Sequence, residues 1–190
     1  MTGPSGIDPL PEVVHPRSGR FVLRRYTADD AAALGRAVGA SVEHLLEFMP
    51  WAADEPVTVE ARREIIANWD HEWQARRSVV LGMFSGDEVI GGTGMHRRRD
   101  GRPDVIEIGY WVHVDHIRQG IAREAAGALT DAAFELPTTS AVEIHHAPTN
   151  LASRAIPSGL GYRYVGDEAL RGQIFCVWRI TRDEWRHADS

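Results

Sequence analysis

The sequence predicts an α/β domain: a mixed, mostly antiparallel sheet of about seven strands flanked by helices. Three observations carry this. Val105–Ala126 opens with apolar and polar residues in strict alternation and then changes to a helical spacing. A strand–helix–strand run from Val105 to His146 is long enough for a parallel pair with a crossover. Ser78–Phe84 and Glu88–His96 are joined by Ser85-Gly86-Asp87, the composition of a hairpin turn.

Taken in order, residues 1–19 are rich in proline and glycine and read as a loose N-terminal arm. Phe21 to Tyr26 is a first strand. Thr27-Ala28-Asp29-Asp30 resembles a capping box and starts a helix through Ala31–Val38. A second short helix is expected around Val42–Phe48, ending at Met49-Pro50-Trp51. Pro56 and Thr58 introduce a longer helix to about Arg77, whose stripe of Ile65, Ile66, Trp69 and Trp73 suits core packing. After the hairpin, a polar loop with Asp100-Gly101 leads to the strand at Val105. A helix over about 119–135 ends before Pro137, and Ala141–His146 is the next strand. Asn150–Ile156 reads as a short helix, broken by Pro157, whose presence in a helix interior costs ~3 kcal/mol. Gly161–Val165 and Gln173–Ile180 complete the sheet.

The stretch from Val105 organises the rest. Ile106, Ile108, Tyr110 and Val112 share one face, and Glu107, Gly109, Trp111 and His113 the other, which suits a pocket wall. A turn over Val114 to Ile117 follows. Arg118-Gln119-Gly120-Ile121-Ala122 then opens a helix with apolar residues at Ile121, Ala125, Ala128, Leu129 and Ala132. Unpaired N–H groups and the positive dipole end at such an opening form a place for a phosphate, with His116, Arg118 and Arg123 nearby. The plainer alternative is a glycine that lets the loop pack closely.

With 190 residues and 43% hydrophobic content, the chain suffices for one domain with a substantial core. A formal charge of −6 argues against a general nucleic-acid binder. No run approaches the ~20 apolar residues of a membrane span. The N-terminus lacks the regions of a signal peptide, so the cytoplasm is the expected address. The single cysteine, Cys176, excludes an internal disulfide and reads as a small core residue. Imidazoles at 113, 116, 145 and 146 lack the carboxylate or thiolate spacing of a metal site, and no metal is expected. A P-loop is excluded by the missing Gly-Lys-Ser/Thr ending.

IEIGYWVHVDHIRQGIAREAAGALTDAAF and VEIHHAPTNLASRAIPSGLGY resemble the GNAT superfamily of acetyl-CoA-dependent N-acetyltransferases, in particular its RimJ/RimL-type branch. Met49-Pro50-Trp51 and Arg182 to Trp185 sit where that branch places similar residues. The resemblance covers roughly residues 20–185, leaving 186–190 as a tail. It implies a sheet splayed between the fourth and fifth strands and acetyl-CoA as acetyl donor. The acceptor it implies is a primary amine, on a small molecule or a protein N-terminus, attacking directly in a ternary complex. A homodimer stays open, and neither nucleic acid nor membrane is an implied partner.

By the same resemblance, the family loop Gln/Arg-x-x-Gly-x-Gly/Ala binds the pyrophosphate through its amides. Gly120 and Ala122 take the small positions, with Arg118, Gln119, Ile121 and Arg123 around them. Ile117 departs from the Gln/Arg position. Trp111, Val112 and Val114 would offer backbone to the pantetheine arm, as a ligand adding a strand. Gly109 is either the bulge that starts the splay or a close-packing glycine. Asn150-Leu151-Ala152-Ser153 matches the branch's Asn-x-x-Ser, with Asn150 on the cofactor and Ser153 near the sulfur. The family tyrosine that protonates the leaving thiolate would fall at Pro157 and is absent. Ser153 is then either that donor or a helix-terminus residue.

Glu107 is the preferred base, direct or through water, against a salt-bridged strand carboxylate. His145 and Glu168 are reserves. An α-amine with pKa ~8 needs little help, whereas a lysine-type amine near ~10.4 needs a real base. The competing reading is a catalytically weakened module that binds or senses acetyl-CoA.

Overall fold

The computed structural model describes residues 7–98, 101–170 and 172–188. Residues 1–6 of the expected arm, Asp100 of the expected loop, and residues 189–190 of the tail lie outside them.

A two-residue strand, β1 (Val13–Val14), pairs antiparallel with β2 (Val22–Arg25). The segment from Ile7, read above as loose, is docked. Leu10 is 2% exposed, and its carbonyl accepts from the Trp73 indole at 2.9 Å. The prolines that suggested looseness are interleaved with apolar residues that cover the sheet edge, a common way to protect it.

Thr27 and Asp30 form the expected capping box, and Arg24 forks onto the same Asp30 carboxylate. One helix follows, α1 (Ala31–Leu46), where two were expected. Gly39 faces open space, so it weakens the helix only by its propensity, about 1 kcal/mol. Ser41 fits the same helix by donating to the Ala37 carbonyl at 2.9 Å. A tight turn over Pro50–Asp54 precedes α2 (Val59–Gln74), whose cap is the Thr58 hydroxyl accepting from Ala61 N–H.

Beyond α2 come β3 (Ser78–Ser85), β4 (Glu88–Arg97), β5 (Val105–Val112), α3 (Ile121–Glu135), β6 (Ala141–His146), α4 (Leu151–Gly159), β7 (Arg163–Leu170), β8 (Gln173–Thr181) and α5 (Arg182–Ala188). Part of the expected tail is thus the end of a helix. The eight strands lie in the order β1-β2-β3-β4-β5-β6-β8-β7, all antiparallel except β5 with β6. The strand beyond the expected seven is β1.

The alternation in β5 separates its two faces as the sequence predicts, and an apolar layer packs on each. Ile106 and Ile108 are buried with Ile121, Ala125, Leu129, Val142 and Ile144 beneath α3. Trp111 packs on the opposite layer, where Tyr26, Leu34, Val38, Ile66 and Phe84 fill the space under α1 and α2. β5 is therefore the shared wall of both layers.

Candidate active site

The parallel pairing of β5 with β6 runs from Val105↔Ala141 to Ile108↔Ile144 and stops. β5 continues to Val112, held on its other edge by β4, while β6 turns its last residues, His145 and His146, to β8. Residues 109–112 thus have a backbone edge without a strand partner, and a wedge opens there. Gly109 stands at its apex. It is not a bulge, because the register runs unbroken through Gly94↔Gly109. Nor is it a close-packing glycine, since an added Cβ would meet nothing within 4 Å.

Past β5 the chain makes a short turn over Val114–His116. Arg118 (φ 61) and Gly120 (φ 78) then take left-handed backbone, a strained choice for arginine. These two reversals aim the start of α3 at the mouth of the wedge, with Gly120 as its N-cap. The first-turn amides have no intrahelical acceptor, so they and the dipole favour an anion. Glu124 does not oppose this at close range, because Ser18 and Arg20 hold its carboxylate. The Arg123 guanidinium reaches across to the Gly159 carbonyl at 2.7 Å and ties α3 to α4.

The other jaw is α4. Asn150 caps it, its side-chain oxygen accepting from Ser153 N–H at 2.9 Å. That assigns the capping role to Asn150 and leaves the Ser153 hydroxyl available. The break expected at Pro157 does not occur, and α4 runs through it to Gly159. A proline has no N–H for the carbonyl four residues back, which is that of Ser153. The Tyr110 hydroxyl lies 3.4 Å from this oxygen and 3.0 Å from Ser153 Oγ. Burial pushes the Tyr110 phenol up to about 12, against the pull of the Ser153 hydrogen bond, so it keeps its proton at neutral pH. Tyr110 was read from the sequence only as part of an apolar face.

Two clefts meet at this strand. The first, about 420 Å³, holds the α3 opening, Asn150 and Ser153, and is closed by His44 and Leu45 at the end of α1 and by Phe48 just beyond it. The second, about 640 Å³, lies under α2 and is walled by Tyr26, Trp51, Trp69, Trp111 and His96. Met49, Tyr110 and Trp111 line both. Trp51 and Trp111 meet edge to face, with centroids 6.4 Å apart. Gly92 and Gly94 on β4 are required by these rings: a side chain at Gly92 would enter the Trp111 indole, and one at Gly94 would come 2.8 Å from His96 Nε2. The signal for this wall was the run Gly91-Gly92-Thr93-Gly94 inside a strand, where backbone or ring approaches closely.

Glu107 is on the face that the alternation predicts, but it lines neither cleft. Arg98 donates to its carboxylate at 3.2 Å, and His145 Nδ1 is 3.8 Å away. Arg98 also holds Glu168 at 2.5 Å. His145 Nε2 is 2.9 Å from Glu143, which is wholly buried and also takes Arg102 and Arg179. Burial would raise the Glu143 carboxyl, but these hydrogen bonds and charges bring it down to about 2. This network locks β5 to β6 just below the wedge.

The family model of the acetyltransferase (GNAT) domain matches residues 20–163. The chain belongs to the GNAT acetyltransferase family. It is 26% identical over 143 residues to the Bacillus subtilis (strain 168) protein YdaF, provisionally named a ribosomal N-acetyltransferase, covering 75% of this chain and 77% of that one. Its fold is similar to a structure described as RimL, ribosomal L7/L12 alpha-N-protein acetyltransferase, in complex with coenzyme A. The TM-score is 0.79 at 19% identity, over 90% of this chain and 99% of that one. Mycobacterium smegmatis RimJ in complex with CoA-disulfide gives 0.76 at 24% identity, over 92% and 89%. At these identities the two structures speak for the fold alone.

Within this GNAT domain, Trp111, Val112, Arg118, Gly120, Ile121, Ala122, Arg123, Asn150 and Ser153 all line the first cleft, as does Ile117, the departure from the family loop. Val114 and Gln119 do not. The Val114 amide is already bound to Ser41 Oγ at 3.1 Å, and the Gln119 side chain turns back to the Asp115 carbonyl. Among the described residues, no helix is long and apolar enough to cross a membrane.

Proposed function

We propose that this GNAT domain is an acetyl-CoA-dependent N-acetyltransferase acting on a primary amine, by direct attack in a ternary complex. The observation that carries this is the meeting of two clefts at Met49, Tyr110 and Trp111, beside the unpaired edge of β5. One cleft suits a phosphorylated, extended donor; the other suits an amine. The donor fits the residues present: unpaired strand edge for pantetheine amides, and the amides at Gly120–Arg123 for the pyrophosphate. Bound there, acetyl-CoA supplies an activated acetyl thioester.

The chain's own groups have separate tasks. A backbone N–H of residues 109–112 donates to the carbonyl oxygen as charge develops on it. Ser153 protonates the leaving sulfur, with the Tyr110 hydroxyl hydrogen-bonded to it from behind. Aromatic walls at Trp51, Trp69 and Trp111 hold a cationic or apolar acceptor body. The name of YdaF, a ribosomal N-acetyltransferase, supports a protein amine as acceptor, and a bacterial ribosomal substrate would place the enzyme in the cytoplasm.

The competing reading, a weakened acetyl-CoA sensor, rests on the absent tyrosine and on Ile117, and the Tyr110–Ser153 pair weighs against it. Assay of CoA release over N-terminal peptides and small amines separates the two. Turnover on at least one amine is expected; tight donor binding with no turnover on any supports the sensor.

A further inference from the structure

We propose that the His96 imidazole takes the proton from the acceptor ammonium, with Glu107 as its charge partner across the strands. This rests on reading the cleft under α2 as the acceptor side.

An ammonium has no lone pair, so it must lose a proton before it can attack a carbonyl carbon. The titratable groups lining that cleft are Tyr26, Asp54, Glu55, Arg62, His96 and Tyr110. Tyr26 and Tyr110 keep their protons, because burial raises both phenols well above the ordinary range. Glu55 is tied to Arg62 in an ion pair whose side chains are 6% and 5% exposed. Asp54 is exposed, on the turn that closes the cleft's outer rim. His96 remains. Its Nε2 sits over Gly94, which pairs with Gly109, the first residue beyond the last β5–β6 pair. The ring nitrogen is therefore level with the apex of the wedge. Neither ring nitrogen has a hydrogen-bond partner among the described residues.

The electrostatics agree with this geometry. Burial lowers the His96 pKa, while Glu107 on β5 and Glu72 on α2 pull the other way. The imidazole is thus neutral near pH 7 and able to accept. Glu107 is its register partner, and such pairs have Cβ atoms ~5 Å apart. Once protonated, the ring faces a carboxylate that Arg98 already orients.

His96 Nε2 takes one proton, and the neutral nitrogen forms the C–N bond at the thioester carbonyl. The C–S bond breaks with its electron pair on sulfur. The second proton of the attacking nitrogen replaces, through solvent, the one that sulfur takes from the Ser153–Tyr110 pair, so the pair is restored. His96 returns its proton to solvent. A base here also opens the acceptor class to strongly basic amines, which near pKa ~10.4 are neutral at only about one part in a thousand.

The test is CoA release by the full chain against pH, at saturating acetyl-CoA. Its acceptors are an N-terminal peptide and a simple alkylamine. For His96→Gln we expect a loss of about 100-fold or more in kcat/KM, larger on the alkylamine, and an acidic limb displaced upward to the acceptor's own ionisation. Acetyl-CoA affinity by calorimetry stays within twofold, which also shows the variant is folded. In Glu107→Gln the limb moves to lower pH with a smaller rate loss, because the anion that raises the imidazole pKa is gone. A His96→Gln enzyme within threefold of wild type, or a limb abolished by Glu107→Gln and untouched by His96→Gln, overturns the role. A wild-type chain that turns over no amine overturns the transferase reading itself, and this role with it.

Discussion

The Tyr110 hydroxyl lies 3.0 Å from Ser153 Oγ, joining the free end of β5 to the first turn of α4 across the wedge. One residue comes from the strand that the donor would extend, the other from the helix that closes over it. The pair exists because Asn150 takes the capping role and Pro157 leaves the Ser153 carbonyl without its helical donor.

If this pair protonates the leaving sulfur, Ser153→Ala lowers kcat by about 100-fold with little change in donor KM. Tyr110→Phe loses less, since the serine can still donate. The double variant falls well short of the product of the two, as expected for groups acting as a unit. Steady-state kinetics on the three proteins check this.

Gly120→Ala tests the phosphate end. At φ 78 an alanine is strained by about 1–2 kcal/mol. The Cβ itself would meet nothing within 4 Å, so the effect is on backbone shape. Donor affinity by calorimetry weakens several-fold, while acceptor KM is unchanged.

Gly109→Leu tests the other cleft. A side chain there has open space ahead of it and projects into the acceptor cavity. The expected result is loss of turnover with donor affinity retained. Equal loss of donor affinity would mean that the two clefts are not divided at this residue.

Much of this was legible in the sequence. Alternation along Val105–Val112 fixed which side chains face α3 and which face α2, because a strand permits only two faces. The capping box at Thr27 and the turn at Gly120 are local signals, and both stand in the structure. What was not legible depends on contacts distant in sequence. His96 and Trp111 become one wall only through the β4–β5 register, and Tyr110 meets Ser153 only because β5 parts from β6. The docking of Leu10 is hidden for the same reason: its Trp73 partner is far along the chain.

Glu143 ties the wedge's base to stability. Its carboxyl is lowered in the folded chain, so its contribution is complete above the ordinary value near 4.5 and is lost as pH falls toward about 2. Glu143→Gln should cost about 2–4 kcal/mol at pH 7, toward the low side of a buried pair because Arg102 and Arg179 are partly exposed. The cost should shrink in acid. Urea melts at pH 7 and pH 3 measure both.

The most direct test is a crystal structure of the chain grown with coenzyme A. The pantetheine arm should lie along residues 109–112 on the edge facing β6, with the pyrophosphate on the amides of Gly120 to Arg123 and the sulfur beside Ser153. Coenzyme A bound elsewhere, with strands β5 and β6 closed over an empty edge, would contradict the account.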